Sequence, residues 1–165
     1  MLSQFLDIIK MLWPVRIILP DELGVMVILG RWHINLRPLL YVIVPGFMEI
    51  HKVTITEQIC DFPQMALTTK DGEGIILDGT ISYTINDPYK AIFKVHDLDA
   101  TLQSKAMGAI CDIVSRLDRK KCIKQDKLKQ QIEEELEEYE DAFGFEIEGV
   151  DITTNIKAFS IFLSK

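Results

Sequence analysis

Between residues 75 and 98 the apolar pattern changes its period, and that change limits the possible folds more than any other feature of the chain. Ile75, Leu77, Ile81, Tyr83 and Ile85 alternate with Asp78, Thr80, Ser82 and Thr84, the pattern of a strand with one buried and one wet face. Asn86-Asp87-Pro88 then ends the alternation. Asp87 can accept from the orphan N–H groups of a helix start, and Pro88 suits the first helical position, where its missing N–H costs nothing. Helical spacing follows. A short helix is predicted over residues 88–95, and a longer one over 97–117 carries Leu98, Leu102, Ala106, Ile110, Val114 and Leu117 on one stripe. A third over 125–143 aligns Leu128, Ile132, Leu136, Tyr139 and Phe143, and Gly144 is placed to stop it. Upstream, strands are predicted at 25–29, 48–56 and 65–70, the last leading into the turn signal Asp71-Gly72. Strands at 146–153 and around 159–163 close the chain. Strands followed by helices give an α+β domain, not a βαβ winding.

The 165 residues suit one domain with its own core. Mean hydropathy is +0.14 although 26% of the residues are charged, so the apolar residues are concentrated, and they are concentrated at the front. Residues 1–60 are balanced in charge, and residues 61–165 carry the whole formal net charge of −7. Such a chain has no electrostatic reason to bind nucleic acid. Cys60, Cys111 and Cys122 form no CxxC and leave an odd count, which fits free thiols in a reducing compartment such as the cytoplasm.

Residues 1–19 contain Phe5, Leu6, Ile9, Leu12 and Trp13 on the apolar side of a helical projection, with Ser3, Asp7 and Lys10 on a narrow polar face. Asp7, Lys10, Pro14 and Arg16 interrupt the run too often for a spanning helix, and no small-residue cleavage site suits a signal peptide. A helix lying in the bilayer surface, with Trp13 at headgroup level, fits the spacing. Its rival is a helix packed on its own domain or on a neighbouring subunit. A second apolar run, residues 36–47, includes Leu40, Tyr41 and Ile43 and closes on Pro45-Gly46. Two readings are open for it: a buried strand, or a loop dipping into the same bilayer.

The order of elements, together with particular residues, resembles the SPFH (band 7, stomatin–prohibitin) family. The carrying residues are Thr69-Lys70-Asp71, Leu77-Asp78-Gly79, Tyr83-Thr84-Ile85 and Asp87-Pro88-Tyr89-Lys90-Ala91. Gly24-Val25 with Leu29-Gly30-Arg31 is similar to the family's opening strand and turn. Pro38 and Pro45, the Asp61-Phe62-Pro63 stretch, and Gly144-Phe145-Glu146-Ile147 with Val150 extend the likeness over residues 21–155. The likeness implies an SPFH domain over 21–155, β-rich to about residue 86 and helical from about 87, behind a membrane-associated segment at 1–20. Residues 156–165 form a short apolar strand or tail. Two departures are visible. Leu36-Arg37-Pro38-Leu39-Leu40 stands where the family has Gly-Pro-Gly, and the long C-terminal coiled coil does not follow. A short member, whose assembly surface lies in the folded domain, is therefore expected.

No G-x-x-x-x-G-K-[ST], G-x-S-x-G or H-E-x-x-H occurs, and His33, His51 and His96 have no metal-ligand spacing. No enzyme, metal or cofactor is expected. The charge order carries more. A basic block containing Arg119, Lys120, Lys124 and Lys127 precedes an acidic one containing Glu134, Glu138 and Glu140. The plain reading is a solvated helix. The functional one is head-to-tail contact between basic and acidic blocks of successive copies, closing a ring or running on as a filament. By resemblance, the chain is a membrane scaffold that meets a lipid bilayer, itself as a homo-oligomer and a membrane-protein client. The alternative is a small regulator of a membrane protease or channel that forms no closed ring.

Overall fold

The computed structural model describes residues 15–122 and 125–155. The expected N-terminal helix, with Phe5, Leu6, Ile9, Leu12 and Trp13, lies outside the described residues, as do Lys124 and the expected strand at 159–163. The described order is β1 (Val15–Ile17), β2 (Glu22–Ile28), β3 (Trp32–Leu36), β4 (Leu40–Val42), β5 (Met48–Thr54), β6 (Gln58–Thr68) and β7 (Gly74–Ile85). Helices α1 (Pro88–Phe93), α2 (Leu98–Arg116), α3 (Arg119–Cys122) and α4 (Gln125–Phe143) follow, and β8 (Phe145–Asn155) ends the described chain. All strand pairing is antiparallel, in three small sheets: β1-β4, β3-β2-β5 and β6-β7-β8.

The sheet β6-β7-β8 carries the main core. Leu77, Ile81 and Tyr83 of β7 lie under Leu102, Ala106, Ile110 and Val114 of α2 and Leu128, Ile132 and Leu136 of α4, none more than 1% exposed. Burying a side chain of this size contributes about 1.5–3 kcal/mol, so this layer holds the fold. Two bulges keep it apolar. Between Phe62 and Met65 strand β6 carries one extra residue against β7, so Cys60 and Phe62 before it and Met65 and Leu67 after it face the same core. Glu148 plays the same part in β8, between Ile147 and Gly149. Gly79 must stay bare, because a Cβ there would run into the Asp151 carbonyl and the Phe62 ring.

The residues that carried the family likeness tie elements together. Asp87 caps α1, its Oδ1 accepting from Tyr89 N at 3.1 Å and Lys90 N at 3.3 Å. Asn86 and Asp87 also donate their N–H groups to the carbonyl of Gly144, which takes φ +76° at the end of α4. At the other end of β7 the hydroxyl of Thr69 donates to Asp71, whose carboxylate also accepts from the backbone N–H of Arg119 and so caps α3. These bonds hold the Asp71 carboxyl below the usual range, with the Thr69 hydroxyl the larger cause.

The smaller sheets form a first lobe around Ile18, Met26 and Leu36. It meets the helical lobe through rings: His33 stacks on Tyr89 of α1 at 3.9 Å, and His51 meets Phe93 edge-on at 5.1 Å. Three sequence expectations change here. Residues 15–17, expected within the membrane segment, form β1 and pair with β4. Strand β3, unforeseen, forms because Trp32–Leu36 returns on β2. β6 begins seven residues earlier than the expected strand at 65–70.

Candidate functional site

The first lobe has two ends, defined by register. At the base, Glu22 opposes Thr54, and three residues beyond, the chain enters β6. At the tip, Ile28 pairs with both Trp32 and Met48, so the β2–β3 turn and the β4–β5 connection lie side by side. They are bonded to each other, Leu29 N donating to Phe47 O at 2.8 Å. Val15 opposes Val42, two residues up β4 from the Leu40–Ile17 pair, so the chain enters the folded unit from the tip side.

The tip turn is built against local preference. Leu29 and Gly30 both take positive φ, +52° and +66°, and Arg31 N donates back to Ile28 O at 3.1 Å. A type I′ turn requires positive φ at both central residues and normally takes Asn, Asp or Gly. Leucine there costs about 1–2 kcal/mol of backbone strain, yet its side chain points into solvent, 59% exposed. Beside it Trp32 is 58% and Phe47 60% exposed, with Val42 and Val44 also outside. The Arg31 guanidinium lies 5.9 Å from the Trp32 ring centroid, a cation over an aromatic face. Between the two turns and β1 opens a cleft of about 630 Å³, lined in part by Arg16, Leu29, Ile43, Phe47 and Ile50. Chemically this end offers large apolar side chains with arginines at their margin, the composition that suits a headgroup boundary.

Of the expected membrane-contact residues, Leu40 is exposed, but strand alternation turns its neighbours inward. Ile43 is buried at 6%, and Tyr41 is half-buried, its hydroxyl donating to Arg37 O at 3.1 Å. Leu39, Val42 and Val44 take the outward places instead. Leu29 and Trp32 were missed by sequence reasoning, and Phe47, which closes the 36–47 run read as a buried strand or a loop dipping into the bilayer, was not singled out. Their signal was available: large apolar residues beside Gly30 and Gly46, in turns, where no core needs them.

Of the expected interface residues, Arg119 is bound within the chain, its Nη1 3.2 Å from Glu73 Oε2. Glu140 accepts from the N–H of Ile147 at 2.9 Å, satisfying a backbone donor of β8. Glu134 accepts from Gln130. Lys120, Lys127 and Glu138 are exposed and, among the described residues, enter no ion pair. Of the basic block, the described Arg119, Lys120 and Lys127 lie at the β6–β7 turn end of α4, and the acidic block runs along the rest of that helix.

A second polar cluster sits where β6 meets α2. Tyr83 donates its hydroxyl to Asp99 Oδ1 at 2.6 Å, and Cys60 its thiol to the Asp99 carbonyl at 3.5 Å. Burial, then the Asp99 and Asp61 carboxylates, push the Cys60 thiol up to about 11. A thiol so protected is a poor nucleophile. Among the described residues no group of three His, Cys, Asp or Glu side chains is placed to hold a metal ion, and no helix is long and apolar enough to cross a membrane.

Residues 16–157 match the SPFH domain / Band 7 family. A protein of Methanothermobacter thermautotrophicus, described only as uncharacterized, is 29% identical over 138 residues, covering 83% of this chain and 43% of the relative. The stomatin homolog of Pyrococcus horikoshii is 23% identical over 84% of this chain and 52% of its own length. The mitochondrial stomatin-like protein 2 of Rattus norvegicus is 25% identical over 78% and 38%. The chain thus spans between about two fifths and about half the length of these relatives.

Proposed function

The chain belongs to the SPFH domain / Band 7 family, and from that premise we propose that it is a non-enzymatic scaffold module that sits on a membrane by the tip of its first lobe and assembles with copies of itself. The observation that carries the reading is the tip: Leu29, held in a strained turn, with Trp32 and Phe47 exposed beside it. A soluble domain gains nothing from strain that presents leucine to water. A bilayer repays it, since each side chain moved into the acyl boundary contributes up to about 1.5–3 kcal/mol. The strand β1 begins at the same end, with Val15 opposite Val42, and the sequence before it is rich in apolar residues. Assembly is supported by the opposed charge blocks of the helical lobe, of which Lys120, Lys127 and Glu138 keep their charges turned to solvent.

Flotation with lipid vesicles tests the membrane half. The chain is expected to rise with the vesicles, and Leu29→Asn/Trp32→Ser/Phe47→Ser is expected to weaken partition more than tenfold with the fold intact by circular dichroism. Equal flotation of the two would refute the tip as the contact. Light scattering in mild detergent tests the assembly half. A large, defined species is expected, and a monomer would favour a partner-specific regulator instead.

A further inference from the structure

The three-stranded sheet of the first lobe has two edges that are unpaired among the described residues: the outer edge of β3 and the outer edge of β5, on opposite sides of β2. β3 is short and unusually bare. Trp32 and Ile34 are 58% and 50% exposed on one face, and His33 and Asn35 are exposed on the other. A bare edge with large apolar side chains is a template for another strand.

We propose that β3 of one copy pairs in parallel with β5 of the next, so that the small sheets run on from subunit to subunit; this rests on the self-assembly reading above. The direction follows from topology. β3 and β5 each run antiparallel to β2, so they run parallel to each other, from tip to base. A neighbour generated by rotation about an axis along that direction keeps every tip on the same side and brings β3 against β5. Pairing β3 with β3 about a two-fold axis would set the strands antiparallel and the tips at opposite ends, which one membrane surface cannot serve.

The register also agrees. β2 gives both edges a common ruler: Ile28 is level with Trp32 and Met48, Val27 with His33 and Glu49, and Met26 with Ile34 and Ile50. Side by side without stagger, Trp32 meets Met48 of the next copy and Ile34 meets Ile50, apolar on apolar. On the other face His33, stacked on Tyr89 of its own copy, comes level with Glu49 of the next, whose carboxylate lies 3.7 Å from its own His51 Nε2 and is 75% exposed. The contact is heterologous, so it closes into a ring where the rotation permits.

Cysteine cross-linking of the full chain in vesicles tests the pairing, with Cys111, the exposed native thiol, replaced by Ser. Within one copy, positions 34 and 50 are separated by β2, about 9–10 Å, too far for a disulfide. Ile34→Cys/Ile50→Cys is therefore expected to give a ladder of covalent oligomers on oxidation, and a mixture of the two single variants only dimers. Trp32→Cys/Met48→Cys repeats the test one pair nearer the tip. No ladder from either pair, in a chain that light scattering shows to be oligomeric, overturns the strand pairing and leaves self-assembly standing. A dimer from Ile34→Cys alone overturns it in favour of two-fold pairing. A chain monomeric in vesicles and detergent overturns the assembly reading and this inference with it.

Discussion

Cys60, Cys111 and Cys122 are chemically alike and are separated by their surroundings. Cys111 lies on the outer face of α2, whereas Cys60 and Cys122 are buried, 5% and 0% exposed. Burial raises both buried thiols, Cys60 from 9.0 to about 11. The thiolate is the reactive form, so near pH 8 the rise of Cys60 from 9.0 to about 11 should slow its reaction with a disulfide reagent about a hundredfold relative to the same thiol in the unfolded chain, and steric cover slows it further. One fast thiol per chain is expected, lost in Cys111→Ser, with all three appearing in denaturant. Two fast thiols would mean that β6 and α2 part near Asp99. The same shift has a sign for stability. A folded pKa above the unfolded one leaves its contribution whole below about pH 9 and removes it as pH rises through about 11. The urea midpoint should therefore fall over that window, and fall less in Cys60→Ala.

At the scale of elements, the β2–β3 turn sets stability against binding. Asparagine tolerates the left-handed region better than leucine, so Leu29→Asn should leave urea stability unchanged or raised by up to about 1 kcal/mol. It should also weaken vesicle partition severalfold, since it removes an apolar side chain from the contact. Loss of both would show Leu29 to be a core residue, contrary to its exposure. What sequence reading could find follows the same physics. α4 was placed over residues 125–143 as observed, because its stripe is unbroken and Gly144 ends it. The early part of β6 escaped because the bulge after Phe62 reverses the alternation that marks a strand, and Pro63 sits inside that bulge. β3 escaped because neither of its faces is buried over most of its length. Residues 36–47 read as one run but divide into the end of β3, the strand β4 and a turn, and only Leu36 and Ile43 of that run are fully buried. The tip was hidden for a related reason: a site made of exposed apolar turn residues has no period, and periodicity was the signal.

For the whole molecule, the order of the parts along its length is fixed by contacts between lobes. His33, next to Trp32 at the tip, stacks on Tyr89, and Tyr89 follows the Ile85 end of β7. The other end of β7, at Gly74, adjoins the β6–β7 turn, where Lys70 N donates to Leu117 O and Asp71 caps α3. Twelve residues of β7 separate these ends, roughly 36 Å at the usual rise per residue. The apolar tip and the basic corner around Lys120 and Lys121 therefore lie at opposite ends. If the tip rests on a bilayer, the corner is beyond the headgroups and beyond the roughly 8–10 Å over which surface charge acts at physiological salt. An environment-sensitive dye at Phe47→Cys, in the Cys111→Ser background, should shift to the blue on adding vesicles and be quenched by nitroxide-bearing lipid. The same dye at Lys121→Cys should do neither, and raising salt to 0.5 M should leave the tip signal in place because the contact is apolar. Quenching at 121 without quenching at 47 would mean that the molecule stands on the bilayer by its basic corner. The charge blocks would then be the membrane contact, and the tip would be free for another partner.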